Sequence, residues 1–420
     1  MTAAVRAVLV AAVLLAGTSA YAAESGLPVG DLVFKPGVRV GFVYDSNVSS
    51  VATAPGPDIG IEVQPYLGVV YAGDNFRWDL NLQYRLLKYA NLNSVNHNAY
   101  STFTTFAVRT SFDANRRGKV GFYFAPAVNN RLVRTGSESA SGDTVGGGQT
   151  GSDYALTVAA PIEVRLRPTK AVTLTPKVSY ELARYYFPDG PFAPNPVVLG
   201  QSHLIDGGLG FDWRFFPRSH LLVDLTGGYK HWQTEVVTVP GSVIGNQNPS
   251  AHFRALAGIR GDITRKLSIM VQAGYGSSFA IGAEALNLSP EGGILGRFEL
   301  GIRPVTTQRL AFGFKRDFSN PYYAQWQVDT QGYFKYKGLW FGRLGTQVDF
   351  SYIYRNLKAP SGGADRNEHQ ITAGVLLELM IAEWFHIDAS YRFSAIPTTD
   401  TNEAEYINSR VLVGVTLGFK

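Results

Sequence analysis

The sequence predicts an all-β fold: a transmembrane antiparallel up-and-down β-barrel of about eighteen strands. Three observations predict it. Segments of ten or more residues alternate apolar and polar side chains, and the connections between them alternate short and long. Beyond the N-terminus, no stretch approaches the ~18 uninterrupted apolar residues that a membrane helix needs. The composition agrees: charged residues make up 17% of the 420, below the ~25% usual for soluble proteins. Gly accounts for 45 positions and aromatics for 13%, spread evenly along the chain. The absence of Cys excludes disulfides, thiolate nucleophiles and cysteine-based metal sites. A balance of 38 basic to 33 acidic residues, net +5, is too mild to imply a nucleic-acid partner.

The N-terminus reads as an export address. Met1 to Arg6 carries one positive charge, Ala7 to Gly17 is almost wholly apolar, and Ala20-Tyr21-Ala22 places small residues before Ala23. Residues 1–22 are therefore expected to be a signal peptide, 23–36 a periplasmic lead and 37–420 the barrel. The expected location is the outer membrane of a Gram-negative bacterium.

Phe76 to Leu86 shows the strand pattern best. Phe76, Trp78, Leu80, Leu82, Tyr84 and Leu86 share one face; Arg77, Asp79, Asn81, Gln83 and Arg85 share the other. A strand's side chains alternate with period two, so one face is apolar and its opposite polar. Sandwich strands average only ~5–6 residues, whereas tilted spanning strands need ~9–11. The segments centre on 37–46, 59–71, 76–87, 99–112, 119–128, 154–166, 171–183, 204–215, 221–231, 252–260, 267–275, 294–302, 309–316, 322–334, 339–352, 370–379, 385–394 and 406–419. Short connections fall at Ala72–Asn75, Asp113–Gly118, Arg167–Lys170, Phe216–His220, Gly261–Lys266, Arg303–Gln308, Lys335–Gly338 and Met380–Trp384. Long ones include 47–58, 129–153, 184–203, 232–251, 276–293, 355–369 and 395–405. Outer-membrane barrels show this asymmetry, with short periplasmic turns and long extracellular loops.

The faces follow from the same parity. Val172, Leu174, Val178, Tyr180 and Leu182, then Ile205, Leu209, Phe211, Trp213 and Phe215, form apolar faces without charge. A charge facing lipid at the midplane costs about 2–4 kcal/mol, so that absence is informative. Tyr44, Tyr71, Tyr84, Tyr229, Tyr275, Tyr336, Tyr352 and Tyr391 lie near strand ends, as interfacial girdles require.

The opposite faces predict a lumen lined by Arg39, Arg77, Arg85, Lys177, Asp206, Asp212, Arg214, Asp224, Arg297, Glu299, Arg343, Asp349, Asp388 and Arg392. A barrel of this strand number is too wide for side chains to fill. Inward glycines such as Gly41, Gly208, Gly210 and Gly313 are expected to keep the bore open. Tyr66, Tyr123, Tyr323, Tyr333 and Phe341 point inward by parity, either stacking on sugar faces or filling gaps. Connection 129–153 is the constriction candidate, with a Ser/Gly-rich surface loop as the other reading. His386 and Asp388 read as an ordinary wall pair, and Ser94, His97 and Asn98 are loose rim candidates for catalysis. No metal, nucleotide or nucleophile motif is present, so neither enzymatic activity nor a cofactor is expected.

Arg39-Val40-Gly41-Phe42-Val43-Tyr44-Asp45-Ser46-Asn47-Val48 resembles the opening strand of porin-like outer-membrane barrels of exopolysaccharide export, in which a Tyr-Asp-x-Asn segment ends strand one. The resemblance implies a channel for the outer-membrane step of polysaccharide secretion, with a short periplasmic polysaccharide-export protein as partner. The alternative is a general diffusion porin for small hydrophilic solutes. The other expected partner is outer-membrane lipid, and the oligomeric state stays open.

Overall fold

A computed structural model describes residues 26–46, 57–90, 102–134, 152–186, 198–233, 249–281, 291–319, 326–358, 366–397 and 406–419. Its strands are β1 (Leu27–Val29), β2 (Leu32–Asp45), β3 (Asp58–Ala72), β4 (Phe76–Tyr89), β5 (Thr102–Ala114), β6 (Val120–Phe124), β7 (Ala127–Arg134), β8 (Ser152–Leu166), β9 (Val172–Tyr186), β10 (Val198–Phe216), β11 (Ser219–Gln233), β12 (Ser250–Asp262), β13 (Leu267–Ala280), β14 (Glu291–Ile302), β15 (Gln308–Ser319), β16 (Trp326–Trp340), β17 (Leu344–Lys358), β18 (Arg366–Ala382), β19 (Phe385–Ile396) and β20 (Tyr406–Gly418).

From β2 onward each strand pairs antiparallel with its neighbours in sequence, except that β6 and β7 do not pair with each other. β20 returns to β2, from Gly37↔Gly418 to Asp45↔Arg410, and closes the sheet. Closure leaves no edge, which lipid demands because it satisfies no backbone polar group. β6 and β7 both lie between β5 and β8, so they are one stave interrupted at Ala125-Pro126. Pro126 has no N–H to donate; the interruption is bridged by Thr110 N–H donating to the Pro126 carbonyl (3.0 Å) and Ala125 N–H to that of Pro161 (3.1 Å). β1 folds back on the start of β2 through three register positions only. The wall therefore has eighteen staves, the expected number.

The short connections gather at one end of the barrel and the long ones at the other. Outward faces are apolar: Phe42, Ile61, Leu209, Ile294, Phe350 and Val413 are all exposed, as residues dissolved in hydrocarbon must be. Among the described residues, charges on that face are confined to Lys88, Arg184 and Arg316, all toward the long-connection end. Trp78, Trp213, Trp340 and Trp384 sit at the short-turn end, the level of an interfacial aromatic belt, with the Trp78 indole N–H donating to the Thr110 hydroxyl at 2.8 Å.

Several boundaries differ from expectation, among them β10, which starts at Val198 where 204 was expected, and β13, which runs to Ala280 where 275 was expected. The turn predicted at Lys335–Gly338 lies instead at 341–343, because Phe341 and Gly342 adopt left-handed φ of 52° and 69° and make the tight reversal themselves. Gly338 stays in the strand, paired with Gln308 and Thr346. β7 runs to Arg134 and β17 to Lys358, both beyond the expected strand ends. The lead expected over 23–36 contains β1 and the start of β2. Residues 1–22 lie outside the described residues. Gly342→Val is expected to cost roughly 1–2 kcal/mol, the usual penalty of left-handed backbone for a side-chain-bearing residue. A lower temperature for loss of the compact, heat-modifiable gel band would show it.

Candidate functional site: the interior wall

Ion pairs that cross strands organise the inner face. Glu62 on β3 is 3% exposed and lies among three guanidinium groups. Arg39 Nη1 is 3.0 Å away on β2, Arg85 Nη2 2.6 Å on β4 and Arg410 Nη2 3.2 Å on β20. Arg39 also grips Asp388 of β19, donating from Nε at 3.1 Å and from Nη2. Strands from the two ends of the sequence are thus clasped where the barrel closes. Charge-assisted bonds of this kind are about twice as strong as neutral ones.

A second hub, not expected from the sequence, surrounds Arg355 on β17, whose side chain is fully buried. It meets Asp329 at 3.1 Å and Glu368 at 3.3 Å. Expectation missed it because strand 339–352 was ended too soon; the continued alternation Ile353, Arg355, Leu357 was the available signal. Toward the long-connection end the inner face mixes buried apolar Val43, Leu87, Ile353 and Leu357 with buried polar Asp45, Asp58, Gln327, Arg355 and Gln370.

The other expected lining residues fall as follows. Arg77 pairs with Asp79 on its own strand at 2.7 Å. Lys177 reaches Asp224 at 2.6 Å, spanning the intervening β10. Asp206 contacts His252 at 3.0 Å, and Asp212 both His220 at 2.6 Å and Arg260 at 3.1 Å. Arg214 donates to the Lys170 carbonyl at 3.2 Å. Arg297 lies 3.7 Å from Glu299, which accepts the Tyr333 hydroxyl at 2.7 Å. Asp349 sits over Gly374, and exposed Arg392 is in register with Arg410. Arg343 is not on the wall: it occupies the 341–343 turn, displaced by the shift of that turn.

His386 and Asp388 share a face but do not pair. His386 Nδ1 is 3.0 Å from Glu378, while Asp388 is held by Arg39. The inward tyrosines are engaged. Tyr123 lies under Arg165, whose Cζ is 5.1 Å from the ring centroid; Tyr333 bonds Glu299; and Tyr66 packs on Gly37. Gly313 likewise receives the Tyr333 ring, so this glycine serves ring packing and does not widen the bore. Phe341, 94% exposed at the turn tip, does not enter the lumen. Tyr323, the stretch 135–151 of the constriction candidate, and Ser94, His97 and Asn98 lie outside the described residues.

The turns at the short end have a composition of their own. The segments 30–31, 73–75, 115–119, 167–171, 217–218, 263–266, 303–307, 341–343 and 383–384 hold ten basic residues and three acidic ones, Asp31, Asp74 and Glu383. That excess of seven exceeds the net +5 of the whole chain, so the remainder is net negative.

No protein-family model matches the chain, and neither does any curated protein. Among solved structures it is similar to the FrpB iron transporter of Neisseria meningitidis (9% identity, 92% of this chain and 82% of that chain, TM-score 0.46). It is also similar to OpdK of Pseudomonas aeruginosa, crystallised with vanillate (11%, 92% and 99%, 0.46). A third is BauA, the ferric preacinetobactin receptor of Acinetobacter baumannii (12%, 91% and 80%, 0.48). The fold rests on the strand pairing itself: a closed eighteen-stave antiparallel barrel with an apolar exterior, the architecture of an outer-membrane β-barrel.

Proposed function

We propose that this barrel is an outer-membrane channel whose cargo is a polysaccharide leaving the cell. The observation that carries the channel reading is the interior: polar, mixed in charge, and enclosed by a wall too wide for side chains to fill. The cargo rests on the resemblance of residues 39–48 to export barrels. A periplasmic polysaccharide-export protein is the partner this reading requires. A second reading, a diffusion porin for small hydrophilic solutes, is favoured by one feature. The inward rings of Tyr66, Tyr123 and Tyr333 are held by wall partners, so they offer no free stacking ladder to sugar faces.

A clean deletion, scored for surface and released polysaccharide beside small-solute uptake, tests both. The export reading expects polysaccharide to be lost with uptake unchanged. Normal polysaccharide with slowed uptake would contradict export and leave the porin.

A further inference from the structure

We infer that the short-turn face is the loading mouth for an acidic solute, a carboxylate-bearing glycan, which enters the lumen from that side. The inference rests on the channel reading above and deepens it by naming the charge of the cargo and its direction of approach.

The first observation is the basic ring itself. Of its ten cations only Arg167 is half-buried, with its guanidinium on the Gly118 carbonyl at 2.9 Å. Arg116 has one ion-pair partner, Asp113 at 3.4 Å. Among the described residues the remaining eight make no ion pair and stand in solvent. Exposed carboxylates at Asp31, Asp74, Asp262 and Glu383 offset them only in part.

The second observation is independent and lies inside the wall. Nearly every inward carboxylate is taken: Asp79 by Arg77, Asp224 by Lys177, Asp212 by His220 and Arg260. Exposed Arg109, Arg214 and Lys337 have no ion-pair partner among the described residues; Lys335 forms none either but lies across the strand pairing from Asp349. Arg109 donates weakly to Asn129 at 3.4 Å, and Lys335 lies 5.1 Å from the Tyr333 ring centroid. These residues sit on the half of the wall nearest the short turns, so the uncompensated charge continues from the rim into the bore.

That continuity selects the occupant. Phospholipid headgroups could meet the turns, but lipid cannot reach the inner wall. On the lipid side this end of the barrel presents Trp213, Phe215 and Trp340, not cations. A cleft lined by one sign of charge raises the local concentration and on-rate of its counterion by ~10–1,000-fold, and the effect falls steeply with salt. Screening acts over ~8 Å at physiological ionic strength, so a polymer would feel the ring only at close approach.

The test uses the purified full-length barrel in a planar bilayer, with a short oligogalacturonate added to one side at a time. Because the chain has no Cys, an Arg218→Cys marker with an impermeant thiol reagent reports orientation. The expected result is an anion-selective pore that the oligomer blocks about tenfold faster or more from the short-turn side. The preference should shrink as salt rises, and largely vanish in the combined variant Arg116→Gln, Arg117→Gln, Arg265→Gln, Lys266→Gln. A second variant, Arg109→Gln with Lys337→Gln, should shorten the block without altering the turns. A conducting pore that is cation-selective, or blocked equally from both sides, overturns the inference while leaving the channel intact. So does a turn variant that changes only insertion into anionic lipid. A barrel that conducts nothing refutes the channel reading instead. Calorimetry of the oligomer on micelle-held protein then decides the inference: salt-sensitive binding lost in the turn variant sustains it, and no binding overturns it.

Discussion

Leu209→Arg should sharply reduce assembly of this barrel into the outer membrane, while Gly210→Arg, one residue further along β10, should assemble normally. Leu209 points into lipid near the middle of its strand. A guanidinium at that depth costs about 2–4 kcal/mol, a large share of a marginal folding free energy. Gly210 faces the lumen. A Cβ built there meets Thr175 Cβ at 3.6 Å and Asp224 Oδ2 at 4.0 Å, ordinary contacts beside a carboxylate that would welcome a cation. The check is the amount of heat-modifiable protein in membrane fractions of the two variants. Equal loss in both would mean that β10 does not divide lipid from lumen as described.

Glu62→Ala should be the most damaging substitution on the inner wall. Glu62 accepts from three arginines on three strands and is 3% exposed, so its removal takes the carboxylate from Arg85 and weakens the hold on Arg410 and on Arg39, which keeps Asp388, at the seam where the sheet closes. Removing one partner of a buried pair typically costs about 3–5 kcal/mol, because the remaining charge loses its compensation. Glu62→Gln keeps the shape and one acceptor and should lose less. Adding Arg85→Leu to Glu62→Ala should recover part of the loss, since the two residues share one network and their effects are not additive. The unfolding temperature of the compact band orders the variants. An unchanged temperature for Glu62→Ala would show that the clasp does not hold the seam.

The barrel was legible in the sequence because a membrane-spanning strand must display its period-two pattern at full length. Lipid tolerates no irregular backbone, so the alternation over Phe76–Leu86 or Val172–Leu182 could hardly mean anything else. Boundaries were less legible where a local signal competed with the pairing. Gly338 mimicked a turn that Phe341 and Gly342 make, which moved Arg343 off the wall and hid Lys335 and Lys337 inside a supposed connection. The interruption at Ala125-Pro126 could not be seen, because the two halves of that stave keep the same neighbours and differ only in backbone path. β1 is three residues long, too short to show any period.

The ion-pair hubs were illegible for a different reason. Parity placed Arg39 and Asp388 on the inner face, but they are 349 residues apart, and only closure of the sheet makes them neighbours. Net charge hid the polarity of the molecule in a similar way. A mild +5 over the whole chain conceals turns with an excess of seven, since the sum discards where the charges stand.

Thiol accessibility along β9 tests the central claim, a lumen facing water inside a wall facing lipid, most directly. The chain has no Cys, so single substitutions need no background removed. Thr175→Cys, Lys177→Cys and Ser179→Cys should react with a water-soluble, membrane-impermeant maleimide in intact outer membranes. Leu174→Cys, Val178→Cys and Leu182→Cys should stay protected until detergent is added. Reaction that rises and falls with period two in this phase is the predicted result; uniform labelling, or the opposite phase, would contradict the account.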